Sequence, residues 1–125
     1  VSDARALYDA AYQDLVKGQY DLAESGFQQY LQMIPTGELS DNAQYWIGEC
    51  HYAQQKFDDA AKSFAEVAER FPDGDKVPAA LLKLGYSQIA LGQSNTAQST
   101  LQDLVRKFPF SNEAKLAQQK IEELR

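Results

Sequence analysis

Apolar residues in this chain recur at three- and four-residue intervals, the spacing of one face of an α-helix, and proline and glycine cut these runs at a regular pitch. Pro35, Pro72 and Pro109 stand 37 residues apart, each behind an apolar residue, Ile34, Phe71 and Phe108. The same step links Ala23, Ala60 and Ala97; Phe27, Phe64 and Leu101; Ala11, Gly48 and Gly85; and Ala6, Ala43, Ala80 and Ala117. Gly18 and Gly92 match, with Gln55 between them. Self-similarity at this period predicts stacked supersecondary units, because one such unit cannot bury both of its faces alone.

Each unit reads as two helices. The pattern predicts helices over residues 4–17, 21–34, 40–55, 58–71, 77–91, 95–108 and 111–124. Gly18 suits a helix end, where positive φ is wanted. Asp21 with Glu24, and Asn95 with Gln98, read as capping-box-like pairs that open the second helices, with Asp58 in the same column. Prolines close the second helices, since proline lacks a donor and restricts the residue before it. No stretch alternates with period two over a convincing length, so no sheet is expected. The expected fold is all-α, one domain over 1–125: three helix-turn-helix repeats at about 4–35, 40–72 and 77–109, then a capping helix at about 111–124. The small residues Ala11, Gly48 and Gly85 are expected to face Ala23, Ala60 and Ala97, letting the paired helices approach toward the low end of about 8–10 Å.

Charge narrows the partners. The 125 residues carry 18 acidic and 12 basic side chains, a formal charge of −6. An acidic chain lacks the basic surface that nucleic acid or anionic lipid requires. No apolar run approaches the roughly 18 residues of a membrane span, so no membrane insertion is expected. The start of the chain has no signal-peptide pattern, which is equally compatible with one that has been removed. Catalytic chemistry is not evident. Cys50 is the only cysteine and His51 the only histidine. As neighbours on a helix they point about 100° apart, a poor nucleophile–base pair. One His and one Cys hold no metal cluster, and the glycines match no phosphate loop, so neither cofactor nor metal is expected.

The pair Leu84–Gly85, with Ile47–Gly48 before it, followed by Ala, Phe and Pro at the spacings above, resembles the tetratricopeptide repeat (TPR), lengthened by three residues in the connector after each proline. The run 45–49 (Tyr-Trp-Ile-Gly-Glu), the run 80–85 (Ala-Leu-Leu-Lys-Leu-Gly) and the closing Phe108-Pro109-x-Ser111-x-x-Ala114-x-x-Ala117 are similar to the C-terminal domains of the YbgF/CpoB family of Tol-Pal-associated proteins. That resemblance implies a right-handed TPR solenoid and a non-enzymatic periplasmic adaptor. Its implied partners are TolA and a bifunctional penicillin-binding protein, so that peptidoglycan synthesis keeps step with outer-membrane constriction. Members of that family also carry an N-terminal coiled coil, for which this sequence has no counterpart. Two other readings stand beside it: the TPR component of the outer-membrane β-barrel assembly machine, and a self-associating structural module.

A partner surface is legible on the first helices. Leu7, Ala10 and Ala11, then Ile47 and Gly48, then Leu81, Leu84 and Gly85 form the stripe expected to pack on the second helices. A second stripe comprises Tyr8, Tyr12 and Leu15, then Tyr45, Glu49 and Tyr52, then Leu82, Tyr86 and Ile89, all at i, i+4, i+7. In a TPR stack this face lines the concave groove. Tyrosines offer large contact area at small entropic cost. Asn42 and Lys83 are the candidate polar contacts, and Glu49 the candidate pair for a basic ligand residue. With so few cations on this face, capture of acidic peptide tails is not expected.

Overall fold

The computed structural model describes residues 2–125; Val1, which the sequence reading counts into the domain, lies outside them. Among the described residues every regular element is a helix: α1 (Ser2–Val16), α2 (Tyr20–Met33), α3 (Ser40–Ala53), α4 (Phe57–Arg70), α5 (Val77–Ala90), α6 (Ser94–Lys107) and α7 (Asn112–Leu124). Each helix packs on the next in chain order, and α5 also reaches α7. The result is a row of hairpins, α1–α2, α3–α4 and α5–α6, with α7 laid against the last.

The reversals inside the hairpins share one backbone solution. Gly18, Gln55 and Gly92 all have positive φ, at 80°, 61° and 79°. The residue after each donates its N–H five positions back, Gln19 to Asp14, Lys56 to His51 and Gln93 to Gln88, at 2.8–2.9 Å. This is the Schellman closure, which satisfies carbonyls that the helix end would leave bare. The turn is so tight that the second helix starts one or two residues earlier than the expected caps. Gln19, Lys56 and Gln93 occupy the cap positions, and none makes a side-chain capping bond. Asp21 and Asp58 sit inside the first turn instead, where a carboxylate still favours the positive end of the helix. Between hairpins, Ile34, Phe71 and Phe108 stop the helices at φ near −130° with ψ of 79°, 59° and 58°, outside the helical region that a following proline disfavours. Ser111 caps α7, accepting from the Ala114 N–H at 3.0 Å.

Helix crossings differ in detail from the expected small-on-small contact. Gly48 lies beneath the ring of Phe64 and Gly85 beneath Leu101, so that a methyl group at either would come within 2.6 or 2.5 Å of those side chains. The partners of the two glycines are thus the bulky column, which fills the space that a missing Cβ leaves. In the first hairpin the glycine moves to the other helix: Ala11 meets Gly26, where an added Cβ would stand 2.8 Å from that of Ala11.

Phe27, Phe64, Leu101, Leu104 and Val67 are fully buried and mark the core. Three clusters run through the stack, and Trp46, Leu81 and Phe108 each bridge two of them. Ala43, Ala80 and Ala117 are sealed against the preceding hairpin, whereas Ala6 on α1 is exposed. On α7, the columns that hold Leu81 and Gly85 in α5 hold Gln118 and Glu122, both exposed. The last helix therefore packs inward and presents polar groups outward, as a capping helix must.

Candidate protein-binding groove

The first helices, α1, α3, α5 and α7, meet along one face through a contact that repeats. Trp46 stacks edge-on against Tyr12 with ring centroids 5.5 Å apart. Lys83 Nζ lies 3.3 Å from Glu49 Oε1. Lys120 Nζ lies 5.6 Å from the centre of the Tyr86 ring. In each case a residue touches the one 34 positions before it, so one geometry is served by an aromatic pair, an ion pair and a cation–π pair.

The predicted residues divide between floor and rim. Tyr8, Tyr45 and Leu82 are 8%, 6% and 6% exposed and form the floor. The expectation that these three present themselves to a partner is corrected by packing: their column points between the helices. Tyr8 stacks against Phe27 and Tyr30, and Tyr45 against Trp46 and Phe64. The Trp46 indole N–H donates to the Tyr8 hydroxyl at 3.0 Å. Burial raises the Tyr8 hydroxyl above the usual phenol range, while bonds from Trp46 and Asn42 pull it back down. Tyr45 is raised further, by burial first and then by the adjacent Glu49 charge. Tyr12 is exposed, and Leu15, Asn42, Glu49, Tyr52, Lys83, Tyr86 and Ile89 are half-buried.

Glu49 is not a free anion on this face. It accepts from the Tyr45 hydroxyl at 2.9 Å and pairs with Lys83, whose ammonium also lies 4.5 Å from the Tyr52 ring centre. The two charges expected to meet a ligand thus answer each other across α3 and α5. Three residues were missing from the predicted stripe. Trp46 joins Tyr8, Tyr12 and Tyr45, and Lys76 caps the rings of Trp46 and Tyr45 at 5.0 and 5.3 Å. Lys120 closes the far end of the face. Trp46 and Lys120 lie one period before and after Lys83, so the columns held that signal; Lys76 has no such marker.

Three recesses open along the face. One of about 450 Å³ is lined by Arg5, Tyr8, Asp9, Tyr12 and Gln13. A central one of about 280 Å³ is lined by Leu15, Tyr20, Trp46, Glu49, Tyr52, Ala53 and Lys83. The third, about 410 Å³, lies between Tyr52, Tyr86, Ile89, Ala90 and Lys120. Elsewhere Cys50 is fully buried, with its thiol pushed up to about 12 by burial and the nearby Glu24 charge. Burial and the raised thiol both oppose thiolate formation at neutral pH.

The fold of paired helices matches known proteins. The tetratricopeptide repeat family model matches residues 42–74 and 79–111, more than half of the chain. The chain belongs to the tetratricopeptide repeat family. It is also 36% identical over 47 residues to the cell division coordinator CpoB of Pseudomonas putida, a stretch covering 38% of this chain and 18% of that protein. The match thus takes in less than a fifth of the relative's length. Among solved structures, the type III secretion translocator chaperone SycD of Yersinia enterocolitica superposes with a TM-score of 0.82 at 20% identity, covering 99% of this chain and 92% of that one. The first TPR domain of Spaghetti (RPAP3), bound to the HSP90 peptide SRMEEVD, gives 0.79 at 15% identity, covering 97% and 89%. At these identities the likeness speaks for the fold. This TPR domain is CpoB-like in sequence and belongs to a class of protein-interaction modules. None of its described helices is long and apolar enough to cross a membrane.

Proposed function

We propose that this TPR domain is a non-enzymatic adaptor of the bacterial envelope, working in the periplasm. It holds a segment of TolA on the face of α1, α3, α5 and α7. Through a bifunctional penicillin-binding protein it helps keep peptidoglycan synthesis in step with outer-membrane constriction at division. Its architecture in this reading is a right-handed solenoid of three 37-residue repeats closed by α7. The observation that carries the reading is the aromatic rim of Tyr12, Trp46, Tyr52 and Tyr86, which the three first helices α1, α3 and α5 assemble along one face. The likeness to CpoB supports the choice of partner.

The test is a titration of this domain with purified TolA, and separately with the penicillin-binding protein, followed by the emission of Trp46, the sole tryptophan. Tyr12→Ala combined with Tyr86→Ala is the variant of choice, because Tyr45 is a floor residue whose loss would disturb packing. At least a ten-fold loss of affinity with unchanged helicity is expected. Full affinity in the variant would place the partner on another surface. Self-association is the second reading, favoured by Phe110, 97% exposed, and by the exposed Leu116. Sedimentation that depends on concentration, and that Phe110→Ser abolishes, would decide for it.

A further inference from the structure

The seam by which each later first helix joins the preceding hairpin is open on α1. In α3 that seam is Ser40, Ala43, Ile47 and Cys50, each at most 5% exposed, with α2 packed over it. In α5 the same columns hold Val77, Ala80, Leu84 and Ser87 under α4, and in α7 Ala114, Ala117 and Ile121 lie under α6. On α1 they hold Asp3, Ala6, Ala10 and Gln13, all exposed. The second helix of the same hairpin widens this open face. Gly26 meets Ala11 and Leu7 across the crossing, so its stripe, with Leu22, Gln29 and Met33, borders α1. Core residues (Tyr8 on α1, Phe27 on α2) lie to one side of that crossing, and Ala10, Leu22 and Met33 to the other. Leu22 and Met33 are 59% and 50% exposed. Their columns are polar elsewhere, Asp59 and Arg70 in α4 and Thr96 and Lys107 in α6, so the first hairpin alone is apolar here.

The occupant that fits this face is a second copy of the chain. Asp3 and Lys17, both exposed, stand seven positions either side of Ala10. A copy running antiparallel about Ala10 brings Asp3 to the partner's Lys17 twice over, whereas a parallel copy sets like charges together. The same arrangement serves α2, where Leu22 meets the partner's Met33 if the pairing centres between Phe27 and Gln28. With Ala11 and Gly26 level and about 1.5 Å of rise per residue, the two centres differ in height by less than about 1 Å. One two-fold axis therefore satisfies both charges and both exposed apolar side chains, as an isologous interface requires. Head-to-tail growth is closed off by α7, which turns Gln118 and Glu122 outward. Tyr12 lies about 160° around α1 from Ala10, so the aromatic rim stays open in such a pair.

We propose that the open face of the first hairpin is the interface of a two-fold dimer, with α1 antiparallel to the partner's α1 about Ala10, Asp3 on the partner's Lys17 and Leu22 on the partner's Met33. A face of two helices is at the small end of specific interfaces, so the dimer forms and dissociates with concentration. It presents two grooves, which raises avidity for a partner that carries more than one binding segment. Sedimentation equilibrium over a concentration series is the test, and the expected result is an approach to twice the chain mass. Ala10→Glu sets two like charges together on the axis and should weaken association at least ten-fold, with helicity by circular dichroism unchanged because Ala10 is exposed. Asp3→Lys and Lys17→Asp should each weaken it about three- to ten-fold, and the two together, which exchange the ends, should restore it. A monomer at every concentration overturns the inference, as does a charge exchange that fails to restore association. Association that Phe110→Ser abolishes and Ala10→Glu spares overturns it in favour of the Phe110 surface. TolA affinity lost in monomeric Ala10→Glu overturns it too, by assigning this face to TolA; affinity kept there supports the dimer face as separate from the groove.

Discussion

Gly92→Ala isolates the backbone contribution of the hairpin turn. Gly92 has a φ of 79° and nothing within 4 Å of where a Cβ would stand, so the substitution brings no clash and removes no contact. Only conformational terms remain. Holding a non-glycine residue in the left-handed region costs roughly 1–2 kcal/mol. The stiffer unfolded chain returns about 0.4–1 kcal/mol. The net expectation is a loss of about 1 kcal/mol, or a fall in Tm of about 3–5 °C at this chain length. Gln55 supplies the mirror experiment. It holds the same turn at φ 61° with a side chain that carries the penalty, so Gln55→Gly should gain up to about 1 kcal/mol. Urea unfolding followed at 222 nm reads both variants, with an unchanged m-value as the sign that stability alone has moved. If the two substitutions shift stability in the same direction, or neither shifts it, the left-handed turn is not what distinguishes these positions.

Gly48→Ala should cost about 1–3 kcal/mol in overpacking against the Phe64 ring, less about 1 kcal/mol regained in helix propensity; Phe64→Leu in the same chain should restore most of the difference, as a double-mutant cycle in urea will show. Asp41 is buried, and loss of solvent with the neighbouring Asp75 charge raises its carboxyl above the usual range, so the folded state holds its proton to higher pH than the unfolded chain does. That contribution favours folding at acid pH and is lost as pH rises through the carboxylate range; Asp41→Asn should therefore be more stable than the parent at pH 7, with the difference shrinking toward pH 4 in thermal melts. Cys50 should resist a thiol-specific disulfide reagent at pH 8 until urea unfolds the chain. Above about pH 9 its burial should erode stability, because the unfolded thiol ionises there and the folded one not until about 12. Glu49→Gln and Lys83→Met should show a coupling of roughly 0.5–1 kcal/mol in a double-mutant cycle, the upper part of the range for partly exposed pairs.

Much of the helix layout was legible because punctuation is local. Proline restricts its neighbour whatever the rest of the chain does, and the departure from helical backbone at Ile34, Phe71 and Phe108 follows directly. The misplaced caps at Asp21, Asp58 and Asn95 have a different origin. Their residue types suit a cap, but a Schellman turn uses the residue after Gly18, Gln55 or Gly92 as both the end of one helix and the start of the next. Side-chain preference cannot compete with a closure that satisfies the backbone by itself.

The face shows where periodicity stops informing. Columns reveal which positions are equivalent, and equivalence is geometric: Tyr12 and Trp46, Glu49 and Lys83, and Tyr86 and Lys120 occupy the same relation with three different chemistries. A period of 37 cannot display a contact between positions 34 apart, because the offset depends on how one hairpin tilts onto the next. For that reason Glu49 and Lys83 read as ligand contacts until packing showed them answering each other. The same tilt decides which tyrosine in a stripe faces inward. Tyr8 and Tyr45 share a column and are both sealed, while Tyr12 and Tyr86 share another and stay accessible at the rim. Burial thus follows the column wherever a preceding hairpin covers it, whereas charge and hydrogen-bonding capacity belong to the residue that fills it. A partner that reads this face therefore meets a regular relief, set by the repeat, carrying a chemistry that changes from one step to the next.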